Sequence, residues 1–329
     1  MSFTTKQQEY YEIAQNRVKE HQASGRFAKL DMHIHSDMSD GLFSIPQIIS
    51  MAKEFGIETI FITDHNTCLP GYELINTLPC ELLEGIEIHV GAEIGCKIED
   101  PITGKFIPIE ILSYNADPKK IDAFLNKYEF SKNTSQEEQL KILLDICDDL
   151  GLKHSENITI PEGCFSTEIL CKDLNTFDEN KDYFMKNCPL AWGSPKLFYK
   201  TCVSNPDSDF YIDTTEGLPY FKDTIDAIID AGGLAIGAHM FLYSRNSQED
   251  VKHLMDYIIS SSKISGFEAY HSSLTSKQRE FIINYCKEHN LLYTGGTDFH
   301  SGPQTILGYG QKSCPVAIDK NCVNFFNHE

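Results

Sequence analysis

Two histidines two residues apart, His33 and His35, lie in the stretch Leu30 to Gly41, which reads Leu-Asp-Met-His-Ile-His-Ser-Asp-Met-Ser-Asp-Gly. On an extended strand, residues two apart point to the same side. The two imidazoles therefore project together, and Asp40 follows in a turn ended by Gly41. Imidazole with carboxylate is a ligand set suited to zinc, manganese or iron. The competing reading is a polar, histidine-bearing turn that binds nothing. What separates the two is whether the rest of the chain supplies further ligands of the same kind.

Further clusters follow the apolar segments expected to be strands. Ile57 to Ile62 runs into Thr63-Asp64-His65-Asn66-Thr67. Gly91-Ala92-Glu93-Ile94 is followed, after a turn, by Phe106 to Tyr114, which contains Glu110. Leu234 to Ala238 ends at His239, and Ile264 to Tyr270 ends at His271. Leu291 to Thr294 leads into Gly295-Gly296-Thr297-Asp298-Phe299-His300. Six of the twelve histidines fall in these clusters, which a random scatter of surface histidines would rarely do. The others (His21, His89, His154, His253, His289, His328) are read as surface or structural.

The elements that must position these clusters alternate. Ser44, Pro46 and Gln47 form a helix start, and Ile45, Ile48, Ile49 and Ala52 recur at helical spacing up to Gly56. Helices are also expected from Asp117-Pro118 to Tyr128, Ser135 to Leu150, Lys222 to Ala231, Val251 to Ser260 and Ser276 to Asn290. Strand–helix alternation argues for a parallel sheet, and α/β barrels carry their sites at the carboxyl ends of strands. Leu152 to Thr215 has no clear period. A segment of that length is expected to be an inserted cap or lid.

At 329 residues and 41% hydrophobic, the chain is sized for one large α/β domain or two small ones. There is no apolar run near 18 residues and no signal-peptide core in the polar N-terminus, so a cytoplasmic protein with no membrane partner is expected. The eleven cysteines include no Cys-x-x-Cys pair and read as reduced, small apolar fillers. A net charge of −20 disfavours broad binding to duplex nucleic acid, though not capture of one phosphate at a cationic pocket. Of the four arginines, Arg245 is placed best to grip a phosphate, with an exposed loop arginine as the alternative.

Taken in order, Asp-x-His-x-His-Ser with Ser39-Asp40-Gly41, Thr63-Asp64-His65-Asn66-Thr67, Gly91-Ala92-Glu93-Ile94, Ala238-His239 and Gly295 to His300 resemble the motifs of the PHP (polymerase and histidinol phosphatase) superfamily. The resemblance covers roughly Leu30 to Tyr309 and is strongest to the stand-alone phosphoesterases of nucleotides and short RNA 5′ ends. It implies a distorted (β/α)7 TIM-like barrel of the PHP type with an inserted, mostly helical cap. The expected division is an N-terminal helical extension at 1–29, the barrel at 30–125 and 216–329, and the insert at 126–215.

The resemblance also implies two or three divalent metals (manganese, iron or zinc). One would take His33, His35, Glu93 and Asp298, and Glu93 would bridge to a second that also uses His239. A third would take Asp40, His65 and His300. Two departures stand out. Glu110 occupies a position where similar proteins carry a histidine that completes the second metal, and Ala-His-Met-Phe replaces the usual Ala-His-Pro-Gly. His271 is a candidate substrate contact or leaving-group acid, or a plain strand-end residue. Asp64 is placed to orient a ligand, and Ser36, Asn66 and Thr67 to line the pocket.

The activity implied is hydrolysis of a phosphomonoester, nucleotide or short oligonucleotide by metal-activated water. The rivals are amide or ester hydrolysis at an amidohydrolase-like site, and a non-catalytic binding or regulatory module of the same fold. The absence of a carboxylated-lysine pattern and the presence of Ser39-Asp40-Gly41 argue against the first. The near-complete ligand set argues against the second. Oligomeric state is not encoded in any feature found.

Overall fold

The computed structural model describes residues 3–128, 136–161, 164–205, 207–213, 215–243, 247–300 and 304–328. Two compact units arise, one of Met1–Tyr128 with Pro219–Glu329 and one of Glu129–Leu218.

In the first unit, α1 (Thr5–Ala23) precedes β1 (Leu30–Ile34), α2 (Ile45–Phe55) and β2 (Thr59–Ile62). The short helices α3 (Leu69–Ile75) and α4 (Cys80–Leu83) lead to β3 (Glu87–Val90). Next come the hairpin β4 (Ala92–Glu99) and β5 (Phe106–Tyr114), then α5 (Pro118–Leu125). The sequence leads α2 to start and stop where it does. Ser44 and Gln47 form a reciprocal capping box, Pro46 sits in the first turn, and Gly56 closes the helix with φ 81°.

Helices α6 (Gln136–Asp149), α7 (Ser166–Leu174), α8 (Lys181–Asn187) and α9 (Pro195–Phe198) belong to the second unit. Leu140, Leu143 and Cys147 of α6 join Leu170, Cys171, Phe184, Phe198 and Phe210 in a core of that unit's own. The unit's helices after α6 are too short to display a hydrophobic period.

The first unit resumes with α10 (Phe221–Asp230), β6 (Leu234–Gly237), α11 (Gln248–Ser261), β7 (Gly266–Tyr270), α12 (Ser276–Glu288) and β8 (Leu292–Gly295). A small antiparallel pair, β9 (Thr305–Ile306) and β10 (Gly310–Gln311), follows.

The fold is mixed α/β. One sheet has the order β1-β2-β3, all parallel, and another the order β4-β5-β6-β7-β8. Within the second, β5 is antiparallel to both neighbours and the remaining pairs are parallel. The sheets do not share one continuous ladder. Isolated parallel bridges, Ile34 to Phe299 and His65 to Glu93, link the first sheet to the ends of the second. Leu30, Met32, Phe61, Leu112, Tyr114 and Ile236 bring both sheets into one buried cluster.

The β1–β2 register slips between Asp31 and Ile34. Met32 consequently joins the cluster between the sheets, whereas Ile34 packs with Ala14 of α1 and Ile48 of α2. Such slips re-aim side chains next to active sites. Here the slip falls where His33 and His35 emerge.

Candidate metal centre

Six histidines and four carboxylates converge at the carboxyl end of β1. His33 Nε2 lies 3.2 Å from Glu93 Oε2 and 3.4 Å from Asp298 Oδ1. His35 Nε2 lies 3.2 Å from each of the same two oxygens. These four residues can offer ligand atoms that all lie within 4.8 Å of one another.

Beside them, Glu93 turns its other oxygen to His239 Nε2 at 2.9 Å. Glu110 lies 3.5 Å from the same nitrogen and 3.7 Å from His65 Nδ1. On the other flank, Asp40 lies 3.3 Å from His300 Nε2 and 3.7 Å from His65 Nε2, and His35 belongs to this group as well. The nine sequence-derived ligand candidates are thus gathered into adjoining groups. His271 joins them, with Nε2 3.3 Å from Asp298 Oδ2 and Nδ1 2.8 Å from Ser273 Oγ. Arg245 lies outside the described residues.

The backbone is bent to make this arrangement. His239 and Asp298 adopt positive φ, 30° and 54°, where non-glycine residues are uncommon. Gly41 and Gly296 allow close approach. A Cβ on Gly41 would stand 2.3 Å from the His35 carbonyl oxygen, and one on Gly296 would stand 2.3 Å from the His33 nitrogen.

Charge and burial oppose each other here. Burial works against a proton on His33, but the carboxylates of Glu93, Glu268 and Asp298 outweigh it and hold its pKa well above the ordinary value. By the same balance His35 is raised to about 10 and His239 to about 9. Burial would raise Glu93 and Asp298, yet the imidazoles pull both well below the usual carboxylate range. Glu110 goes the other way, pushed up by burial and by its neighbour Glu93.

The residues fit divalent cations on one further observation. His33 Nε2, both ring nitrogens of His35, His239 Nδ1 and Asp298 Oδ1 are buried without a hydrogen-bond partner. Buried polar atoms are rarely left so, and imidazole nitrogens facing carboxylates need only a cation between them to be satisfied.

Sequence reasoning missed the supports. Glu268 is buried, with Oε1 3.0 Å from His33 Nδ1 and Oε2 accepting the His239 N–H at 3.1 Å. The one signal for it is a single acid in an otherwise apolar strand, which tells neither its face nor its partner. Asp31 accepts from the Thr297, His33 and Gly308 N–H groups and the Thr297 hydroxyl, tying β1 to the loop of Asp298. Tyr243 donates its hydroxyl to Glu110 Oε2 at 3.1 Å and accepts the Glu110 N–H at 2.9 Å.

Asp64 accepts from Ser36 and Ser39, so it fixes the turn carrying Asp40. Asn66 accepts the Gly95 N–H at 2.9 Å, which pins the start of β4. Ser36 and Asn66 therefore hold the walls of the site together.

The PHP domain family model matches residues 31–289. The chain belongs to the PHP family. Among curated relatives, this PHP protein is 26% identical over 272 residues to a 5′-3′ exoribonuclease of Haemophilus influenzae, covering 83% of this chain and 90% of the relative. It is 22% identical over 274 residues to a phosphoribosyl 1,2-cyclic phosphate 1,2-diphosphodiesterase of Eggerthella lenta, covering 82% and 93%. A solved structure of a candidate metal-dependent phosphoesterase from Bifidobacterium adolescentis superposes with TM-score 0.53 at 21% identity, covering 89% of this chain and 93% of that one. That likeness concerns the fold. No helix among the described residues is long and apolar enough to cross a membrane.

Proposed function

We propose that this chain is a metal-dependent phosphoesterase acting on nucleotides or short oligonucleotides. The observation that carries the reading is the group His33, His35, Glu93 and Asp298, whose imidazole Nε2 atoms are buried, face the carboxylates and lack hydrogen-bond partners. The exoribonuclease and the cyclic phosphate diesterase among the relatives support phosphoester chemistry.

In this reading the two sheets are the staves of a distorted (β/α)7 barrel, and residues 126–215 form a substrate cap. His33, His35, Glu93 and Asp298 would hold one cation, Glu93, His239 and Glu110 a second, and Asp40, His65 and His300 a third. Bound divalent cations would supply a hydroxide nucleophile near neutral pH and neutralise phosphoryl charge.

The chain's own residues do the rest. Glu93 presents one oxygen to His33, His35 and His65 and the other to His239, so it serves two adjoining groups. Tyr243 holds Glu110 at the second group. His271 reaches the same pocket beside Asp298 and is assigned the leaving-group proton. No serine or cysteine nucleophile is required.

The test is metal content by elemental mass spectrometry, with hydrolysis of a phosphomonoester, nucleotide and oligoribonucleotide panel. Near three metals per chain are expected, falling by about one in Glu110→Gln. Activity should be lost in His35→Ala and Asp298→Ala. Failure to take up manganese, iron or zinc would overturn the enzyme reading in favour of a binding module.

A further inference from the structure

The β4–β5 hairpin carries its residues on two unlike faces. Ile94, Cys96 and Ile98 of β4 and Ile107, Ile109 and Ile111 of β5 are buried on one of them. In an antiparallel pair, residues directly opposite point to the same side. The register pairs Glu93 with Leu112, Gly95 with Glu110, Lys97 with Pro108 and Glu99 with Phe106. Glu93 and Glu110 therefore share their face with Lys97 and Phe106. That face opens outward, since Lys97 is half-buried and Phe106 is 45% exposed.

Lys97 Nζ stands 5.6 Å from the centre of the Phe106 ring. Tyr220, bridged to Lys97 along the edge of β4 away from β5, sets its ring edge-on to Phe106 at 6.4 Å. Lys222 Nζ lies 5.9 Å from the Tyr220 ring. Two cations and two aromatic rings thus adjoin one another in a chain of net charge −20. Four residues of strand separate Glu110 from Phe106, about 13 Å at the usual rise. That is too far for the nucleotide whose phosphate is at the metal centre and suits one further along the same strand.

We propose that this face is a subsite for single-stranded oligonucleotide, with a base stacked on Phe106 and a backbone phosphate on Lys97. The inference rests on the phosphoesterase reading and narrows its substrate to an unpaired strand. Stacking on an exposed ring tolerates any base, and a lysine beside it tracks the backbone. Glu99 borders the far end of the face and limits the strand's path there.

The test uses the metal-loaded full chain with single-stranded oligoribonucleotides from dinucleotide to hexamer. Binding of a labelled hexamer is followed in parallel by fluorescence anisotropy. kcat/KM is expected to rise with length. Phe106→Ala should lower it about tenfold on the longer substrates, leave the dinucleotide unchanged, and weaken hexamer binding to match. Phe106→Tyr should restore both. Lys97→Ala should reduce the salt slope of hexamer binding by about 0.7.

Equal rates at all lengths, with hexamer binding indifferent to Phe106 and Lys97, would overturn the subsite and leave the hydrolase standing. No hydrolysis of any phosphoester, with hexamer binding still dependent on both residues, would overturn the hydrolase and leave the subsite.

Discussion

Glu268 Oε1 lies 3.0 Å from His33 Nδ1, and both side chains are fully buried. The other nitrogen of His33 faces Glu93 and Asp298. A carboxylate behind a ligating imidazole fixes the tautomer and ring orientation and strengthens the ligand. Glu268→Gln removes the charge and, because Oε1 accepts from His33 and Oε2 from the His239 N–H, leaves an amide N–H₂ facing one of those two donors. The expected result is a fold destabilised by about 2 kcal/mol that still forms, with metal affinity reduced roughly 10- to 100-fold, read by competition with a chelator of known affinity. Unchanged affinity would mean that packing alone orients His33.

The imidazoles also predict how metal uptake depends on pH. His35 is raised to about 10 and His239 to about 9, so the metal-free chain carries a proton on each at pH 7. A ligating imidazole must be neutral, so metal binding displaces protons. Calorimetry in two buffers of different ionisation enthalpy should register proton release at pH 7, and apparent affinity should rise from pH 6 to 9.

The same shifts have a consequence for stability. A folded-state pKa above the unfolded one stabilises the fold fully below the ordinary histidine value of 6.5, and that contribution is lost as pH rises through the folded values. Metal-free protein should therefore lose thermal stability between pH 7 and 10, while the metal-loaded form should hold it. Parallel pH curves for the two forms would contradict the charge balance described.

The ligand candidates were legible because their chemistry is in the residue type. His33, His35 and His239 stand at the ends of apolar runs and His65 and His300 in the polar clusters that follow such runs, and strand ends are where α/β folds collect side chains. Glu268 was not legible. Its partner His33 is 235 residues away, and a single acid in Gly266–Tyr270 does not say which face it takes. Nor was the slip in β1, which depends on how two strands pair rather than on either sequence. In the second unit, helices of four to nine residues after α6 hide their period, and the core of Phe184, Phe198 and Phe210 emerges only on folding.

Asp31 offers the sharpest separation of support from chemistry. Its Oδ1 accepts the Thr297 N–H at 2.8 Å and the His33 N–H at 3.3 Å, while Oδ2 accepts the Thr297 hydroxyl at 2.5 Å and the Gly308 N–H at 2.8 Å. Every partner donates, so both oxygens must be acceptors. Asp31→Asn places an amide N–H₂ against at least one backbone N–H, whichever way the side chain turns, and the site is too buried for water to intervene. A buried donor left unsatisfied costs about 2 kcal/mol. Urea unfolding of metal-free protein should show a loss of that size. Metal content should fall too, because Thr297 precedes the ligand candidate Asp298. Excess manganese or zinc should recover part of the stability by mass action. A variant as stable as the parent would show that the loop of Asp298 is held to β1 by other contacts, with Gly296 packed against His33 the first to examine.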